Sequence, residues 1–288
     1  MTVGGRERML AVLRHHVGDL EWELRPVGTR GGATTFLATG SGRRLFVKWP
    51  TDTRPLQRLA ELNIVPPIVA TGQLHGAPYV VQQYMDHVAA DRTWLRTHAT
   101  EVAAVMRRYQ YDPSVQMSLM VDGPVRAEEL RRQDLHRIDM TLRAAVDPAF
   151  HRPAVLESVE RFLKRGWSVP SNAPTATHGD PNPHNFLRTD TGLLLIDWDG
   201  AEMSEPMRDL GPFLWWCLPP ERWPNVLAAH HAGVQADHRS IEWWAARASL
   251  LIAAWLNAHT TDHGRLASFL HDFVAAETGA GNPRLHDP

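Results

Sequence analysis

The chain of 288 residues has a single cysteine, Cys217, and only two lysines, Lys48 and Lys164, against 28 arginines. One cysteine excludes a disulfide framework and any cysteine-rich zinc site, and suits a reducing cytosol. No stretch approaches the roughly 18 apolar residues that a membrane helix needs; the best, Leu250 to Leu256, is far shorter. The first 17 residues, carrying Arg6, Glu7, Arg8 and Arg14, lack an apolar core and a small-residue cleavage site. They read as an amphipathic helix and not as a signal peptide. The expectation is a cytoplasmic protein, monomer or weak dimer, with no membrane partner. The glycines at Gly28 and Gly31-Gly32 follow neither GxGxxG nor the Walker A pattern, which disfavours a P-loop enzyme.

Apolar residues make up 43% and charged residues 22% of the chain, ordinary globular usage that excludes a disordered or fibrous protein. The net charge of −2 hides an asymmetry. Residues 1–85 hold ten basic against six acidic side chains, whereas residues 170–288 hold seven against fourteen. A basic front and an acidic back argue against nucleic acid as partner and fit an anionic cofactor with a cationic or neutral substrate.

The pattern divides the chain in two. After the opening helix, Glu21 to Trp49 reads as strands broken by glycines, with a hairpin turn at Thr39-Gly40-Ser41-Gly42. Pro55 to Asn63 has helical spacing, and strands follow near Ile68 to Gln73 and Pro78 to Tyr84. From Thr100 the period is helical, and helices are expected at Met207 to Trp216, Trp223 to Ala232, Ile241 to Leu256 and on to Glu277. Strands first and helices afterwards predict an α+β protein of two lobes, 1–85 and 86–288, joined near Tyr84 to His87.

The most informative stretch is His178-Gly179-Asp180-Pro181-Asn182-Pro183-His184-Asn185, followed by Leu193-Leu194-Leu195-Ile196-Asp197-Trp198-Asp199. An Asp, an Asn five residues on and a second Asp twelve beyond supply one carboxylate as base and two hard oxygen ligands for Mg²⁺ against a nucleoside triphosphate. The competing structural reading is an Asx-turn loop capping a strand. A metallohydrolase built on His178, His184 and Asp180 is the third, weakened by the lack of a further His/Asp pair at suitable spacing. Asp197 ends an apolar strand, where a carboxylate is costly unless it meets a cation or a cluster of donors. Asp199 reads as a cap of the next segment, and Asp209 as a structural residue bonded to backbone near the Asp180 loop. Lys48 sits in Leu45-Phe46-Val47-Lys48-Trp49 behind the glycines, as a phosphate-binding ammonium would. Taken alone, it reads rather as an edge-strand lysine facing water; set behind the glycines and ahead of the Asp-Asn-Asp block, the phosphate-binding reading overtakes that one.

These blocks resemble the aminoglycoside phosphotransferase and choline kinase group, small-molecule kinases with a protein-kinase-like fold. The match covers His-Gly-Asp-x-x-x-x-Asn, Ile-Asp-Trp-Asp and the later Arg208-Asp209-Leu210, over about residues 20–260. The resemblance implies an antiparallel-sheet N-lobe, a mostly helical C-lobe, and ATP (or alternatively GTP) with Mg²⁺ as cofactors. It implies Asp180 as catalytic base, Asn185 and Asp197 on Mg²⁺, Lys48 on the α/β-phosphates with Gly31 and Gly32, and backbone of Gln83, Tyr84 and Met85 on adenine. The family pairs the strand lysine with a helix Glu; here Asp52 is the nearer match and Glu61 the alternative. No long activation segment or Ala-Pro-Glu follows Asp197, which points to a small substrate. The acceptor expected is a hydroxylated, cationic antibiotic (an aminoglycoside, or a basic peptide such as viomycin or capreomycin), met by Glu202, Glu205, Asp262, Asp272 and Glu277. Trp215, Trp216, Trp243, Trp244 and Trp255 could line its pocket, although aromatics at helical spacing are more often core. A metabolic alcohol is the alternative acceptor, and a nucleotide-binding pseudokinase the alternative function.

Overall fold

Alternating apolar residues make strands of the N-terminal third. The computed structural model describes residues 3–18, 21–30, 33–40, 42–120, 123, 126–230 and 237–286. Helix α1 (Val3–Val17) leads into β1 (Glu23–Arg30), β2 (Ala33–Gly40), β3 (Arg43–Trp49), helix α2 (Leu56–Glu61), β4 (Ile68–Leu74) and β5 (Ala77–Gln83). The five strands form one antiparallel sheet in the order β1-β2-β3-β5-β4. Strand β3 is therefore internal, and the edge-strand reading of Lys48 is corrected. Its side chains alternate as a pleat requires. Leu45 and Val47 join Met9, Val12 and Leu13 of α1 in a small core, and Phe46 and Lys48 face the opposite side.

Beyond β5 the chain turns helical. Strand β6 (Val88–Ala89) is followed by α3 (Arg92–Thr97), α4 (Ala99–Gln110), α5 (Pro113–Leu119), α6 (Ala127–Arg143) and α7 (Pro153–Arg165). Next come four short strands, β7 (Thr175–Thr177), β8 (Phe186–Thr189), β9 (Gly192–Leu195) and β10 (Glu202–Ser204). The chain then continues as α8 (Met207–Cys217), α9 (Trp223–His230), α10 (His238–His259) and α11 (His263–Thr278). The expected helix from Trp223 is seen to His230, and its last two residues lie outside the described ones. β8 pairs with β6 and β9, and β7 with β10, all antiparallel.

The larger core gathers around α10, which packs on α8 and α11. Trp243 stacks on Phe162 with ring centres 5.0 Å apart, and Trp215, Trp243 and Trp244 are all buried, as the structural reading of the tryptophans anticipates. Leu56 and Leu59 of α2, with Ile64 and Val80, belong to this larger core and not to the N-terminal one. Helix α2 is thus seated on the helical lobe. Its Arg58 reaches Asp112 (2.7 Å), which also caps α5 by accepting the Ser114 and Val115 amides.

Candidate active site

The loop after β7 is held from below by a buried carboxylate. Asp209, in the first turn of α8, accepts the amides of His178 and Gly179 (2.8 Å each) and the hydroxyl of Tyr109 (2.8 Å). His178 is buried with both ring nitrogens engaged. Nδ1 accepts the Asp180 amide (3.1 Å), and Nε2–H donates to the Ile196 carbonyl (2.9 Å). Neither nitrogen is left for a metal, which removes the histidine-based hydrolase reading at this residue. Burial keeps the His178 ring below the ordinary histidine pKa, with the Asp209 carboxylate pulling the other way. Gly179 has φ +87°, and a Cβ there would lie 2.6 Å from the Gly200 carbonyl. Only glycine lets the loop approach the segment after Asp197 this closely.

Asp180 is then tied to Asn185, whose Nδ2 donates to the Asp180 carbonyl (2.7 Å) and lies 3.3 Å from its Oδ2. The Ile196 amide donates to the Asn185 carbonyl (2.9 Å), which sets the strand end carrying Asp197 beside the loop. Asp197 is left-handed, φ +69° and ψ 57°, a conformation that costs a non-glycine residue about 1–3 kcal/mol and turns its carboxylate toward the sheet. There it meets Lys48, Nζ to Oδ1 2.7 Å. Asp199 also reaches Lys48 (2.7 Å) and accepts the Thr51 hydroxyl (3.1 Å).

A cleft of about 980 Å³ opens between the sheet and the helical lobe. It is lined by Phe46, Lys48, Gln82 and Met85 on the sheet side and by Asp180, Asn185, Asp197, Asp199 and Trp255 on the side of the helical lobe. Asn185, Asp197 and Asp199 are oxygen donors, the set a hard divalent cation prefers. Among the described residues no three His, Cys, Asp or Glu side chains converge as a ready-made metal cluster, so an ion here would share its shell with substrate or water.

Several expected site residues are placed otherwise. Gly31 and Gly32 lie outside the described residues. Asp52 lines the cleft, but its carboxylate is taken by Arg54 (2.6 Å), which holds its pKa below the ordinary value. Glu61 pairs with Arg58 (3.0 Å). Neither is the partner of Lys48. The amides of Gln83 and Tyr84 donate to the Pro67 and Arg44 carbonyls (2.9 and 3.0 Å), and Met85 lines the cleft. The acids nominated for a cationic acceptor are also engaged. Glu205 is buried against Arg131 and the Asn172 amide. Asp272 is buried against Arg284 (2.5 Å), and Glu277 against Arg161 (2.8 Å). Glu202 pairs with Arg208 and Arg137, and Asp262 caps α11 by accepting the Arg265 amide (2.9 Å). Asp199 is the residue that sequence reasoning passed over. Its signal was its position two residues after Asp197, which places both carboxylates on one turn.

A lysine on the third strand of an antiparallel sheet, facing an Asp-Asn loop and a strand-end Asp on a helical lobe, is the architecture of kinase-like phosphotransferases. Residues 23–244 match the sequence profile of the phosphotransferase enzyme family, APH, and the chain belongs to that family. That family is one of phosphotransferases. Its fold is similar to choline kinase LicA from Streptococcus pneumoniae (TM-score 0.71, 13% identity, covering 96% of this chain and 99% of that one). It is similar also to wild-type aminoglycoside 2'-phosphotransferase-IIIa in a GDP complex (TM-score 0.68, 13% identity, 97% and 100%). A third is a thermostable mutant of aminoglycoside phosphotransferase APH(4)-Ia in a ternary complex with AMP-PNP and hygromycin B (TM-score 0.67, 14% identity, 94% and 97%). At these identities the structures speak for the fold. No helix among the described residues is long and apolar enough to cross a membrane.

Proposed function

We propose that the protein transfers the γ-phosphoryl group of ATP to a hydroxyl of a small molecule, with Asp180 as base. The observation that carries this is the convergence of Lys48, Asp180, Asn185 and Asp197 on one cleft. Similar folds have been solved with AMP, AMP-PNP and GDP, which supports a nucleotide here. Asp180 accepts the proton of the acceptor hydroxyl as its oxygen attacks the γ-phosphorus, and the bond from phosphorus to the β–γ bridging oxygen breaks, releasing ADP. Lys48 offers a compact positive charge to the phosphates. Asn185 and Asp197 would hold Mg²⁺, which neutralises charge on the phosphates. The loop's fixed geometry accounts for most of the rate, since phosphoryl transfer is mainly positioning and electrostatics.

For the acceptor, the acidic balance of residues 170–288 supports a cationic antibiotic, an aminoglycoside or a basic peptide such as viomycin or capreomycin, and hence resistance. A metabolic alcohol is the second reading. It is favoured by the engagement of the nominated acids with arginines and backbone, and by Trp255, an exposed aromatic at the cleft. Expression in an antibiotic-sensitive host separates the two. Raised tolerance to a cationic antibiotic supports the first, and unchanged tolerance with in vitro phosphorylation of choline, a sugar or an amino alcohol supports the second.

A further inference from the structure

A phosphate-binding lysine on a strand needs an acid to hold its flexible stem, because four rotatable bonds otherwise leave the ammonium unplaced. The local candidates are turned away. Helix α2 sits on the helical lobe through Leu56 and Leu59, with its Arg58 drawn to Asp112, and Glu61 follows Arg58. Asp52 is closed on Arg54 through the side chain and the backbone amide. The carboxylates that do meet Lys48 come from the opposite lobe. Asp197 uses Oδ1, and Asp199 uses Oδ2 while its Oδ1 accepts the Thr51 hydroxyl. Asp197 is expected to be drawn to the cation in the loaded cleft. Asp199 is tethered separately, to Thr51, three positions beyond Lys48 and just past the end of that strand.

We infer that Asp199 is the positioning residue of Lys48, taking the place of a helix acid and linking the lysine to the helical lobe. The inference rests on the proposal that the cleft binds a nucleoside triphosphate. It acts through Lys48 alone, which makes it separable from a metal-contact or merely structural role. It also implies that movement of α2 does not set the lysine.

The test is a double-mutant cycle on AMP-PNP affinity, measured by calorimetry with Mg²⁺ and again in EDTA, in the full chain. Asp199→Asn should weaken binding by about threefold to tenfold in both conditions when Lys48 is present. In the Lys48→Met background the same change should cost nothing or tighten binding, because only a negative charge facing the phosphates is then removed. Asp52→Asn and Glu61→Gln should leave the affinity within about twofold. The inference is overturned by an equal penalty in both backgrounds, by no penalty with Lys48 present, by a penalty confined to Mg²⁺, or by a comparable loss from Asp52→Asn or Glu61→Gln. Failure of the wild type to bind AMP-PNP would instead overturn the nucleotide reading, and this inference with it.

Discussion

Asp180 and His178 stand two residues apart and are held by the same loop, yet their predicted tasks differ. Asp180→Asn keeps the shape of the side chain and removes the base, so kcat should fall by about three orders of magnitude while ATP affinity changes little. Single-turnover kinetics beside ATP binding checks this, and near-normal turnover would contradict the role. His178 is a support, neutral because it is buried, with its pKa held below the ordinary value near 6.5. The unfolded chain takes up a proton at this residue as pH falls through about 6.5, and the folded chain resists until lower pH. Its contribution to stability is therefore full above that value and is lost as pH falls toward the folded pKa. Urea midpoints of the wild type should drop more steeply between pH 7.5 and 5.5 than those of His178→Gln. Parallel slopes would show that His178 titrates alike in both states.

At the scale of elements, α8 and β7 are joined by Asp209, whose carboxylate accepts two loop amides and the Tyr109 hydroxyl. Asp209→Ala would strand those donors in a dry interior, a loss of roughly 3 kcal/mol by chemical denaturation. An unchanged denaturation midpoint would show that the loop does not depend on it. This link was legible beforehand, as were β1 to β5, because alternation along a strand and a block of fixed spacing are local signals. What was not legible depended on partners far away in the chain. Helix α2, which carries Glu61, is oriented by Asp112, 54 residues from Arg58. Glu205, Asp272 and Glu277 looked like exposed acids for a cationic substrate. Their arginine partners, 74, 12 and 116 residues distant, bury them instead. Asp199 looked like a cap, since nothing nearby shows that Lys48 lies opposite, and β3 was open to an edge reading until β2 and β5 flanked it.

Across the whole molecule, the cleft is where the two lobes meet, and a ligand that bridges Lys48 to Asp197 should stabilise both. At 100 times its Kd, AMP-PNP should add about 2.7 kcal/mol to unfolding stability, read as a rise in melting temperature. No shift at saturating nucleotide would argue that the cleft does not take it. The family assignment stands on residues 23–244, whereas donor and cation rest on the convergence of four side chains at this cleft, and the acceptor on the acidic balance of residues 170–288. The most direct measurement follows labelled γ-phosphate from ATP into a panel of hydroxylated small molecules. The panel spans aminoglycosides, basic peptides, choline, sugars and amino alcohols, and Asp180→Asn is run beside the wild type. The wild type should form a phosphate monoester on at least one acceptor, at a rate that falls by about three orders of magnitude in the variant. Transfer that survives in Asp180→Asn, or release of phosphate from esters without ATP, would contradict this.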